Sequence, residues 1–296
     1  MTGEPAVRMN AALKSLLLPF LLYAALVSGQ NPVQPVGNIS VKEIVARLTE
    51  NNRKRSQMLQ SFTGRREYHL LYTGFPGRRE ADMVVDVTYQ APASKDFKVV
   101  SETGSHLIIN RVFRRLLESE KEASDEKNQA RTALTEANYT FAFVGQEPVD
   151  SRAAYILQVE PRIDNKYLYR GRIWVDAADY AVAKIEAEPA KRPSFWISRT
   201  EIHHAYQKIG DFWLPVENQS ATDVRLGGHA ILSIHYRDYK LSSASGQVTI
   251  YSPPAPALWD FAASLSTLSK WDLSSSTSSG SILSKQIPLP VAHSAS

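Results

Sequence analysis

The side chains best suited to chemistry stand close together at Glu201, His203, His204 and Tyr206, with His235 further along. Imidazoles ligate zinc or carry protons, so a pair of them beside a carboxylate raises metal binding and acid/base catalysis first. The spacing argues against both. Residues 198–208 have strand composition, and strand neighbours point to opposite faces, so His203 and His204 cannot share a metal without a bulge or a cross-strand partner such as His235. Asp82, Asp86 and Asp176 fall on separate strand faces and turns and make no acid/base pair. The sequence contains no Gly-x-Ser-x-Gly elbow, no phosphate-binding glycine loop and no His-Glu-x-x-His helix. With no cysteine in 296 residues, thiolate nucleophiles, disulfides, iron-sulfur ligation and acylation of an N-terminal cysteine are excluded too. The expectation is a protein that is not an enzyme, with no catalytic residue, no metal and no cofactor. A net charge of +4, from 34 basic and 30 acidic residues, gives no sign of nucleic-acid binding.

What the chain has in excess is apolar surface. Alternation within its strands places Met83, Val85, Val87, Tyr89, Phe141, Phe143, Tyr169, Ile173, Val175 and Trp213 on one inward face. Such a lining suits an acyl chain, which gains about 0.8 kcal/mol per buried methylene. These residues are the expected lipid cavity.

The elements that must position them follow from period and punctuation. Ser40-Val41-Lys42-Glu43 is a capping box, and Val41, Ile44, Val45, Leu48, Leu59 and Phe62 recur at helical spacing, which predicts an amphipathic helix to about residue 61. Arg47, Glu50, Arg53, Lys54 and Arg55 are expected on its solvated side. The period then changes to two. Strands are predicted at 67–73, 79–89, 97–101, 138–145, 153–161, 167–176, 180–188, 198–208, 212–220 and 229–240, joined by short links rich in Gly, Asp and Asn. Short links mean antiparallel pairing, and a sheet of 10–11 strands curls. The expected fold is α+β: a curved antiparallel sheet forming an unclosed barrel, with helices on its concave face.

Between the third and fourth strands, residues 104–137 break the meander. Ile109, Val112, Phe113, Leu116 and Leu117 form a helical apolar stripe, taken as a lid over the barrel mouth. Its cations precede its acids, against the helix dipole, and an Arg114–Glu118 pair is expected to offset part of that.

Both ends read as appendages. Residues 1–29 combine Arg8 and Lys14 with an apolar run from Ser15 to Val27 and small residues before Gln30, the pattern of a cleaved export signal. Residues 243–296 are rich in serine and proline and poor in charge, which predicts a disordered tail with Trp259, Phe261 and Trp271 as docking points. The folded part is expected at 38–242.

The stretch Gly171-Arg-Ile-Trp-Val-Asp176, its return Ala181-Val-Ala-Lys-Ile-Glu186, and Gly210-Asp-Phe-Trp-Leu-Pro215-Val-Glu-Asn218 resemble the outer-membrane lipoprotein-sorting (LolA-like) proteins. The resemblance spans roughly residues 40–242. It implies an unclosed β-barrel with a helical lid and an apolar cavity, in a periplasmic carrier that passes acylated lipoproteins or lipids toward the outer membrane. The partners implied are the acylated cargo and donor and acceptor proteins of the inner and outer membranes, with the carrier a monomer. A lipid-binding sensor or envelope interaction module without transfer activity is the alternative.

Overall fold

The computed structural model describes residues 39–92, 94–123, 130–165, 167–191, 197–225 and 227–252. The expected export signal and the tail beyond residue 252, including Trp259, Phe261 and Trp271, lie outside them. Among the described residues no helix is long and apolar enough to cross a membrane.

The first helix, α1 (Val41–Met58), starts where the capping box places it, the Ser40 hydroxyl accepting from the Glu43 N–H at 3.2 Å. Ile44, Val45 and Leu48 bury its inner stripe. It ends before residue 61. Leu59 and Phe62 belong instead to β1 (Leu59–Gly74), whose ladder starts at Leu59 opposite Ser243. Arg55 also departs from expectation: it is half-buried and donates to the carbonyls of Asp179 and Tyr180, both at 3.0 Å.

Ten further strands follow: β2 (Arg79–Gln90), β3 (Ser94–Gly104), β4 (Tyr139–Val149), β5 (Arg152–Pro161), β6 (Tyr169–Asp176), β7 (Val182–Pro189), β8 (Ile197–Ile209), β9 (Phe212–Val224), β10 (Gly228–Ser243) and β11 (Val248–Tyr251). The sheet runs past the boundary expected at residue 242, because β11 pairs with β10 beyond the point where its pairing with β9 stops. The order is β3-β2-β1-β10-β9-β8-β7-β6-β5-β4, antiparallel throughout. β3 and β4 stay unpaired with each other, so this is a large antiparallel sheet that curls without closing, as expected.

The words that carry the family resemblance are structural. Gly171 sits at φ +147°, where a Cβ would lie 2.3 Å from the Glu186 carbonyl oxygen, so only glycine lets β6 and β7 approach. The Asp176 carboxylate takes Arg152 at 2.6 and 2.9 Å and the backbone N–H groups of Ala178 and Asp179, pinning the β6–β7 turn. Trp174 faces outward, packing with Ala154 and Ile156 and donating its indole N–H to Glu147 at 2.5 Å.

The helical segment between β3 and β4 is α2 (His106–Ile108), a π-turn (Ile109–Phe113) and α3 (Arg114–Ala123). Its buried residues Ile108, Ile109, Val112, Phe113 and Leu116 recur in steps of four. On an α-helix of 3.6 residues per turn such a stripe drifts by about 40° per step. The wider π-turn holds it on one face. Arg114 pairs with Glu102 on β3 at 2.9 Å, not with the expected Glu118.

The inner face carries two apolar clusters. One joins β1, β2 and β10 to the α2–α3 segment, around Leu70, Met83, Val85, Phe113 and Leu232. The other joins β5 to β8 with α1, around Ile44, Leu48, Leu157, Ile173 and Val175.

Candidate functional site

A cavity of about 150 Å³ lies where the two clusters meet. The first contributes Leu59, Tyr89, Phe212 and Leu214; the second contributes Leu134 and Tyr206. The C-terminal half of α1 closes one side with Thr49, Asn52, Arg55 and Ser56.

That side of α1 is fixed by the β6–β7 turn. Arg47 donates to the Tyr180 hydroxyl at 2.7 Å, Asn51 to the Asp179 carbonyl at 3.0 Å, and Arg55 to both carbonyls of the same turn. The Asp179 carboxylate in turn holds the cavity wall, accepting from the Trp213 indole at 3.1 Å as well as from Arg152 and Lys208.

A buried charge cluster borders the other side. Arg66 on β1 is 4% exposed and Lys95 on β3 is 6% exposed, and both line the cavity. They share one carboxylate, Glu120 on α3: Arg66 donates to it at 2.5 and 2.9 Å, and Lys95 at 2.5 Å. Burial alone would raise the Glu120 carboxyl, but the two cations overrule it and hold it well below the usual carboxylate range. Burial pushes the Lys95 ammonium below its ordinary value, with Glu120 opposing the shift. The Arg66 guanidinium also lies over the Tyr236 ring at 4.9 Å, and Lys95 lies 5.9 Å from the Phe62 ring centre.

On the floor of the sheet the Tyr169 and Tyr206 hydroxyls, His204 Nδ1 and Asn218 Oδ1 are buried without a hydrogen-bond partner. His204 stands opposite Asn218 in the β8–β9 ladder, whereas His203 stands opposite Gln219 and His235 opposite Glu217, so the three imidazoles do not converge. Burial, with a smaller contribution from His203, pushes the His204 imidazole down to about 4, so it is neutral at pH 7. No group of three or more His, Asp or Glu side chains among the described residues could hold a metal ion.

The structure redistributes the expected cavity residues. Tyr89 and Trp213 line the cavity. Met83, Val85 and Val87 pack into the first cluster, and Tyr169, Ile173 and Val175 into the second, with Phe141 against its edge. Phe143 is 46% exposed and belongs to neither. The expected lid residues Ile109, Val112, Phe113 and Leu116 are buried in the first cluster, with Leu117 packed against it, and none of the five touches the cavity. Residues 133–135, from the link between α3 and β4, line it instead.

The expected set lacked the charged members: Arg55, Arg66, Lys95 and Glu120. The last three had a signal in the sequence. Arg66 shares the strand phase of Tyr68, Leu70 and Tyr72; Lys95 shares that of Phe97 and Val99; Glu120 continues the four-residue recurrence of Ile108, Val112 and Leu116. A charge in the apolar phase of its own element must be paired inside the fold.

No protein-family model matches the chain, and no curated protein matches it. Among solved structures it is similar to a putative outer membrane lipoprotein-sorting protein domain from Vibrio parahaemolyticus, at 11% identity over 74% of this chain and 96% of that one, with a TM-score of 0.33. A LolA superfamily protein from Nitrosomonas europaea is similar at 12% identity, over 69% and 94% of the two chains, with a TM-score of 0.28. A DUF1329 family protein from Desulfovibrio piger is similar at 13% identity, over 66% and 92%, with a TM-score of 0.32. Likenesses of this strength say nothing of ligand or activity.

Proposed function

We propose that this chain is an exported acyl-chain-binding protein: a periplasmic carrier that holds the acyl chains of lipoproteins or lipids on the inner face of its unclosed sheet and passes them toward the outer membrane. The observation that carries this reading is the cavity between two packed apolar clusters, walled by Leu59, Phe62, Leu134, Phe212 and Leu214. At about 150 Å³ it has the volume that admits one benzene-sized group, against roughly 300–1,000 Å³ for ordinary ligand pockets. A full acyl chain therefore enters by widening the seam, its methylenes replacing Leu134 and its neighbours against the sheet. The small resting volume also supports the second reading, a lipid-responsive interaction module that binds but does not transfer.

Trp213 in the cavity wall reports occupancy. Titration with a fatty acid brominated along its chain should quench the fluorescence, and the quenched fraction should shrink in Trp213→Phe. Quenching that is absent, or equal in the two proteins, removes the cavity as the acyl site. Transfer of a radiolabelled acylated peptide to outer-membrane vesicles then separates carrier from binder.

A further inference from the structure

Every charged side chain lining the cavity is a cation: Arg55, Arg66 and Lys95. Their compensation is incomplete. Arg66 and Lys95 divide the single Glu120 carboxylate between them, which leaves the buried group with an excess positive charge. Arg55 donates only to neutral acceptors, the Asn52 side-chain oxygen and two backbone carbonyls. The turn carboxylates Asp179 and Asp176 act on Arg55 only through space: Asp179 is bound by Arg152, Lys208 and the Trp213 indole, Asp176 by Arg152, and neither lines the cavity. Tyr206 also lines the cavity, with its hydroxyl sealed behind the wall and without a hydrogen-bond partner. Cations that share one carboxylate, or rely on carboxylates already bound by other groups, are costly to bury unless something negative joins them.

From this juxtaposition we infer that the ligand is an amphiphile with an acidic head group, a carboxylate or a phosphate monoester. Its anionic oxygens meet Arg55 and Lys95, and its chain lies on Phe62, Phe212 and Leu214. This rests on the acyl-binding reading and adds a selectivity that acyl binding alone does not require. A neutral chain of equal length fills the same apolar space and leaves the charge standing.

The test is competition at pH 7 between decanoate, decyl phosphate and decanol for the full-length protein, read by displacement of a fluorescent fatty-acid probe. The acids should bind at least tenfold more tightly than the alcohol, about 1.4 kcal/mol. Whichever acid leads identifies the head group. Lys95→Met removes the excess charge while leaving the Arg66–Glu120 pair, and Arg55→Gln removes the cation with neutral partners. Each should reduce the ratio of acid to decanol affinity several-fold. If decanol binds as well as the acids, the head-group inference fails and acyl binding stands. If none of the three displaces the probe, both fail. If the acids lead but both variants keep the full preference, these residues are not the recognition site.

Discussion

His204 shows what a single buried imidazole does to this fold. It is pushed down to about 4 by burial, while the unfolded chain titrates it near 6.5. Between those values the unfolded state takes up a proton that the folded state refuses, so stability falls as pH drops from 6.5 to about 4, by roughly 3 kcal/mol in all. Above that window the residue contributes no pH dependence. His204→Phe keeps the ring and removes the titration, so its urea midpoint should vary much less between pH 7 and about 4 than that of the parent. An equal acid loss in the variant would assign the sensitivity to other groups. The alternation of Ile202, His204 and Tyr206 already puts this imidazole on the inner face. That its Nδ1 goes without a hydrogen bond was not legible, because the facing side chain comes from β9, where Asn218 opposes it with its own oxygen unpaired.

At the scale of elements, the segment from α2 to α3 is held by two different forces. Its apolar stripe packs Phe113, which is fully buried, against β1 and β2, and its far end is tied to β1 and β3 through Glu120. Glu120→Gln keeps the shape and leaves two buried cations without a counter-charge. We expect a loss of about 3–5 kcal/mol in urea unfolding, the range for breaking a buried ion pair from one side. A loss below about 1 kcal/mol would mean that water reaches the cluster and screens it. The periodicities of this segment and of the strands were readable from local pattern, because period two and a step of four are written within one element. Boundaries were harder. Phe62 satisfies both the helical spacing that prolongs α1 and the inward phase of β1, whereas Leu59 joins that face only through the register shift between Leu59 and Ser61, so pairing with Leu241 and Ser243 on β10 decides for the strand. Arg114 likewise has a local partner at Glu118 and takes a distant one at Glu102. Local pattern carries no information about which strand lies alongside.

The same limit, applied to the whole molecule, explains why the sheet is legible locally while only Tyr89 and Trp213 of the expected lining reach this cavity. Sheet order puts β3 and β4 at opposite edges, yet they are consecutive strands, so the chain between them must travel from one edge to the other. Its first part settles into the cluster over β1 and β2, and residues 133–135 come down beside α1 in the other cluster. Alternation correctly assigns inward faces, but each inward face finds a helix to pack on, and the vacancy falls only where the territories of the two covers end. The lining therefore draws on α1, residues 133–135 and strands from β1 to β10, elements far apart in sequence, and not on one apolar strand run. Ala133, partly buried on the cavity wall, offers a direct check because its side chain is small and its carbonyl already accepts from the Asn138 side chain at 2.8 Å. Ala133→Leu adds bulk to the space without disturbing that bond. Unliganded stability should rise by about 0.5–2 kcal/mol, as in other cavity-filling substitutions, while affinity for decanoate should fall at least tenfold. Greater stability with undiminished binding would place the ligand outside the seam. Lower stability would mean that residues 133–135 pack too tightly to yield to an acyl chain, and the route proposed past Leu134 would be closed.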